Sequence, residues 1–291
     1  MHRLLADLLK TASELANCAL PAAPLINRPL SSGLDDVTEI KIEEMLGQIA
    51  IIVDDKATHA YLHGYGDEEL LKSLTFEARG ETLSIKGSFG LLNDSISLSS
   101  RRFKTLHFAG SGVVVGCSTT TSGRTFASSD EDLFVDGRQI DLSRPITLAV
   151  VVPPHMAASI CNTIGAIGVH GTLGGKLKVK GFGPASIVAQ HISSLTCDLS
   201  CDSWAMIDTA SGKLKLDLSS GANVAVTEGF TTTVKADLSS NSQFVHGGVI
   251  TGNANLDVSS GAEVVLASVL GKVKRDIHNG SVTVNGVQYT S

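Results

Sequence analysis

The chain has 291 residues, of which 43% are hydrophobic, 18% charged and only 4% aromatic, with 29 glycines and a formal net charge of −6 at pH 7. Apolar content of that size, carried by Val, Leu, Ile and Ala, excludes a disordered chain and favours strands. The negative balance excludes a nucleic-acid partner, because duplex affinity rests on clustered Lys and Arg that neutralise several phosphates.

Leu4, Leu5, Leu8, Ala12, Leu15, Ala16 and Ala19 share one side at helical spacing, which predicts an amphipathic helix stopped before Pro21 and packed as a lid on the body. Asp7, Lys10 and Glu14 interrupt the apolar run that a secretory leader needs, so this segment points to a cytoplasmic protein. No stretch of about 18 uninterrupted apolar residues occurs, and no membrane span is predicted. Pro21, Pro24 and Pro29 make 21–32 a connector.

The period then changes from helical to alternating. Ile40 and Ile42 alternate with Glu39, Lys41 and Glu43, and 82–86, 133–135 and 146–152 read as further strands. Residues 67–74 read as a short helical turn, and the Ser/Thr/Gly-rich stretch 110–132 as a surface excursion. The expected organisation is therefore an N-terminal helix and linker over 1–27, an N-terminal β region over 28–144, and a repeat-built region over 145–291.

Four segments of that last region superpose directly: Leu214-Lys215-Leu216-Asp217-Leu218, Val234-Lys235-Ala236-Asp237-Leu238, Ala254-Asn255-Leu256-Asp257-Val258 and Val273-Lys274-Arg275-Asp276-Ile277. Leu195-Thr196-Cys197-Asp198-Leu199 extends the series, and weaker copies run through 177–180 and 164–166. The aspartates at 198, 217, 237, 257 and 276 are 19 or 20 residues apart. A unit that short cannot hold the helical hairpin of a repeat of about 34 residues, and no helical period occurs. A parallel β-solenoid remains, in which each strand stacks on its copy about 4.8 Å away. Leu214, Leu216 and Leu218 then point inward, Lys215 and Asp217 outward, and Ala236 and Ala254 are small inward residues. No proline follows Pro184, as amides committed to ladders require.

The outward column Asp198, Asp217, Asp237, Asp257 and Asp276, with Lys215, Lys235 and Lys274 two residues earlier to offset its charge, is the candidate binding face. The glycine-rich calcium repeat is absent, and no metal or cofactor is predicted. The Ser-Ser pairs at 219–220, 239–240 and 259–260 have no neighbouring base and read as corners, with hydroxyls on turn amides and positive φ at Gly221, Gly261 and Asn241. His155, His170, His191, His246 and His278 are scattered and read as solvent-facing or turn residues. Cys18, Cys117, Cys161, Cys197 and Cys201 form no Cys-x-x-Cys pair and read as buried or turn thiols. Trp204 stands alone, as a packing plug or a sugar-stacking ring. No catalytic residue is predicted.

These features resemble the GIN-domain family of autotransporter adhesin heads. The resemblance rests on Arg28-Pro29-Leu30-Ser31 followed by the alternating strand 38–42, Leu70-Leu71, the strand Gly80-Glu81-Thr82-Leu83-Ser84-Ile85, the Val-rich strand ending Val152-Pro153, and corners at Gly165-Ala166, Ser220-Gly221-Ala222 and Ser260-Gly261-Ala262. It spans 28–288 and implies a right-handed parallel β-helix, typically exported, with no established active site. The stretch 91–143 exceeds the family's usual connection. The expected function is a non-enzymatic binding or adhesion module with a protein or glycan surface partner. The alternatives are an intracellular scaffold that self-associates as a homo-oligomer and, last, a carbohydrate-active enzyme, which rests on architecture alone.

Overall fold

The computed structural model describes residues 26–29, 37–88, 91–95, 106–107, 114–115, 126–129, 132–135, 138–140, 146–181, 185–200 and 203–290. The predicted N-terminal helix, most of the connector, much of the 110–132 excursion, and Cys18, Cys117 and Cys201 lie outside them.

Strict alternation builds the repeat. In Lys213–Leu218 the three leucines are buried and Lys213, Lys215 and Asp217 exposed. Parallel pairing in register then stacks each inward position on its copy. Leu177, Leu195, Leu214, Val234, Ala254 and Val273 form one column, and Val179, Cys197, Leu216, Ala236, Leu256 and Arg275 the next. We call this face A. After a corner, each turn continues into face B, whose inward pairs run Ala205/Ile207, Val224/Val226, Phe244/His246, Val264/Leu266 and Val282/Val284. A short face C, with Ile192 stacked on Ala210 and Thr231 on Ile250 and Val269, closes the turn. The predicted parallel β-solenoid is the observed architecture, with about six turns.

The corners carry two successive left-handed residues. Ser220 and Gly221 have φ of 50° and 79°, Ser240 and Asn241 52° and 61°, Ser260 and Gly261 52° and 81°. This is the signature of a type I′ turn, closed in the first copy by Ala222 N–H donating to Ser219 O at 3.1 Å. The serines thus join the glycines and Asn241 in a conformation expected only of the latter. Stacking holds them there: Gly221 N–H donates to Ser240 O and Asn241 N–H to Ser260 O, so the turn amides are met by neighbouring corners. The expected role of the hydroxyls is corrected accordingly. Ser242 Oγ and Ser259 Oγ donate to the carbonyls of Leu218 and Leu238 in the preceding turn. At Gly229, between faces B and C, φ is 119° and a Cβ would lie 2.2 Å from Ala210 O, so only glycine fits.

Below the regular turns the order along the axis departs from the order along the chain. Glu39–Glu43 lies between Thr82–Lys86 and Ala157–Cys161 on face A. Leu46–Val53 lies between Ile146–Val152 and residues 164–170 on face B. The turn that comes first in sequence is therefore covered by one assembled from strands on either side of 87–145. Antiparallel strands are added at this end, Thr75–Arg79 on face A and Tyr61–Gly66 on face B. The predicted helical turn between them is Glu68–Lys72, capped by Asp67 Oδ1 accepting from Leu70 N–H at 2.9 Å and anchored by buried Leu71.

Two expectations change here. Ile26–Pro29, read as connector, is a strand paired antiparallel with Tyr61–Gly66. Among the described residues this strand has no second partner, and a proline is tolerated at such an edge. The predicted strand at 133–135 exists as Asp132–Val135, in a separate four-stranded antiparallel sheet with Leu91–Ser95, Phe126–Ser129 and Arg138–Ile140.

Leu238 is 0% exposed between Leu218 and Val258. Leu238→Ala is expected to lower the unfolding free energy by about 2–5 kcal/mol in urea titration. Lys235→Ala, on the outward side of the same strand, should change it by no more than about 0.5 kcal/mol.

Candidate functional site

The outward side of face A brings together every residue of the predicted binding face. Asp198, Asp217, Asp237, Asp257 and Asp276 stack in register, with Lys180 beneath them. Beside them runs the column Lys178, Thr196, Lys215, Lys235, Asn255 and Lys274. Lys176 on Ser194 and Lys213 on Thr233 begin a third column. A basic and hydroxylated band therefore borders an acidic ridge, each advancing one residue per turn.

Stacking like charges about 4.8 Å apart has an electrostatic consequence. The Asp217 carboxyl is held above the usual carboxylate range by partial burial, then by Asp198 and Asp237, against the opposing pull of Lys215 and Lys180. Lys180 Nζ lies 3.5 Å from Asp198 Oδ2, and His278 Nε2 lies 3.0 Å from Asp276 Oδ1, so a lysine and an imidazole stand at the two ends of the column. Among the described residues no three His, Cys, Asp or Glu side chains converge to hold a metal.

The other residues singled out in the sequence are dispersed. His155, His191 and His278 are exposed and His170 half-buried. His246 departs from the expectation: it points into the core between Val226 and Leu266 and is 0% exposed. Its Nε2 lies 2.7 Å from Thr231 Oγ1, and the Phe244 ring meets it edge-on at 6.3 Å. Burial pushes the His246 pKa down, outweighing nearby backbone groups. The signal for this was its place in the repeat, where its copies are Val226 and Leu266. Cys161 and Cys197 are free and buried, as expected of packing thiols. The Cys197 thiol is pushed up to about 12 by burial and then by Asp198, which leaves it inert. Trp204 opens the strand Trp204–Ala210 and stacks half-buried between Ser186 and Asn223.

One cluster had no sequence signal because it does not repeat. Asp208 is raised by burial, lowered by His191 and raised by Glu228, and Thr209 Oγ1 donates to Glu228 Oε1 at 3.3 Å. It sits on an open surface. The crevice lined by Glu44, Met45, Leu70, Leu74, Gly87 and Ser88 has scarcely room for a water molecule.

Fold and face together define a parallel β-solenoid with a charge-laddered flat side. No family model matches the chain, and no curated protein matches it. Solved structures similar to it include a candidate adhesin of Bacteroides fragilis NCTC 9343, at 11% identity over 91% of this chain and 98% of that one with a TM-score of 0.49. A candidate lipid-binding protein of Parabacteroides distasonis ATCC 8503 is 14% identical over 89% of this chain and 96% of that one, with a TM-score of 0.43. A candidate adhesin of Parabacteroides merdae ATCC 43184 is 10% identical over 89% and 94%, with a TM-score of 0.38. At these identities no site residue transfers to this chain.

The buried imidazole sets a pH dependence. Its folded pKa lies below the unfolded value of about 6.5, so the unfolded chain binds the extra proton first. The stability it contributes is present above that value and falls as pH drops below it. Denaturation series from pH 7.5 to 5 should show this loss (about the range over which histidine titrates), and His246→Leu should flatten it.

Proposed function

We propose that this chain is a non-enzymatic binding module whose face A docks on an extended partner, a protein or glycan surface. The observation that supports this most directly is the in-register pair of Lys and Asp columns, continued over successive turns. A flat lattice with a fixed rise suits a partner that is itself extended, because many weak contacts then act together. Each exposed charge alone contributes little and is screened by salt, so the affinity comes from the array. Hydrolysis by paired carboxylates needs two of them across a cleft, whereas these aspartates form a line on an open face. The corner serines are committed to the backbone geometry of the turns. The resemblance to GIN-domain adhesin heads points the same way, and a cell-surface location belongs to this reading.

The test is retention of the full chain on immobilised anionic, neutral and zwitterionic polysaccharides and on extracellular-matrix protein. Binding to at least one is expected, weakening with salt and falling about ten-fold or more, roughly 1.4 kcal/mol, in the triple variants K215S/K235S/K274S or D217N/D237N/D257N. Absence of binding throughout, or binding that both triple variants keep, overturns the reading.

A further inference from the structure

The last turn ends differently on each of its three faces. On face B, Ser281–Val284 is covered by the antiparallel strand Val287–Thr290 through a hairpin at Asn285 and Gly286, with φ of 51° and 78°. On face C the side chain of Asn285 takes the place of a further strand. Val269 N–H donates to its Oδ1 at 2.8 Å and its Nδ2 donates to Val269 O at 3.3 Å, so one amide side chain satisfies both backbone groups. On face A, Val273–His278 pairs with Ala254–Ser259 and, among the described residues, with no strand beyond it, so alternate backbone groups face along the axis without a described partner strand.

That open strand carries a break in the repeat. The inward column Val179, Cys197, Leu216, Ala236 and Leu256 ends in Arg275, whose guanidinium lies 3.6 Å from the centre of the Tyr289 ring on the face B hairpin. The charge thus sits across the end of the core, where the next apolar layer would have to form. Any strand added to face A would bury it, and an inward-pointing charge is one way in which edge strands are kept from pairing.

We propose that Arg275 is the terminator of this solenoid, keeping the open strand from accepting a second copy of the chain. The copy it excludes has a definite shape. At this end face B projects one strand beyond face A. Two molecules related by a two-fold axis that exchanges the faces therefore interlock, each Val287–Thr290 filling the level missing from the other's face A. This pairing closes on itself and yields a dimer, not a filament. The inference is independent of what face A binds.

Sedimentation velocity of the full chain over about a hundred-fold concentration range tests it. The parent protein and R275K are expected to hold one mass. R275L and R275V restore an apolar column and are expected to double it at high concentration. Gln288→Pro added to R275L is expected to return the mass to the single-chain value. In a two-residue hairpin Val287 pairs with Val284, so the Gln288 N–H lies on the outer edge that the second copy needs. The proposal is overturned if R275L and R275V keep an unchanged circular dichroism spectrum and the parent mass, or if R275K associates as they do. It is equally overturned if Gln288→Pro leaves the dimer intact, or if both apolar variants lose their fold, since Arg275 would then be holding the turn together.

Discussion

Everything in this molecule depends on parallel strands stacked in register, each residue lying directly above its copy one turn earlier. The interaction is repetitive and local. Leu218 on Leu238 on Val258 is the same contact made again, so core width is set by a few inward side chains per turn, and an alanine such as Ala236 is accommodated between larger neighbours. Backbone hydrogen bonds run along the axis even through the corners, which is why serine is held in a left-handed conformation at three equivalent places. A distortion in one turn is thus constrained by the turns above and below it.

The same register that stacks leucines also stacks charges, and the molecule manages this without separating them. Asp217 carries the effect as a raised proton affinity, while Lys180 and His278 stand at the ends of its column. Inside, the register places a histidine where the repeat has Val226 and Leu266, with Thr231 supplying a hydrogen bond from face C. Polar groups in this fold are therefore shared between turns, and their partners come from the next level more often than from the same strand.

A stack of identical rungs has no intrinsic end, and the two ends of this one are finished by different means. At one, the chain doubles back and lays antiparallel strands and a capped helical turn over the first turns, so that early and late segments interleave. At the other, a hairpin covers face B, an asparagine side chain stands in for a strand on face C, and on face A an arginine over a tyrosine lies across the end of the core.

The repeat, the inward leucines and the outward Lys and Asp positions were legible from residue types alone, because period-two alternation and spacings of 19 or 20 residues are properties of the linear order. So was the helical turn at Asp67, whose capping is set within a few residues. The covering of 39–53 by a turn made of 82–86 and 146–152 was not, since those pairings join segments far apart in sequence that share only a generic alternating pattern. Nor was the ion pair of Lys180 with Asp198 or the placement of Arg275 over Tyr289. Each is decided by which turn lies beside which, a relation that exists only once the chain has wound.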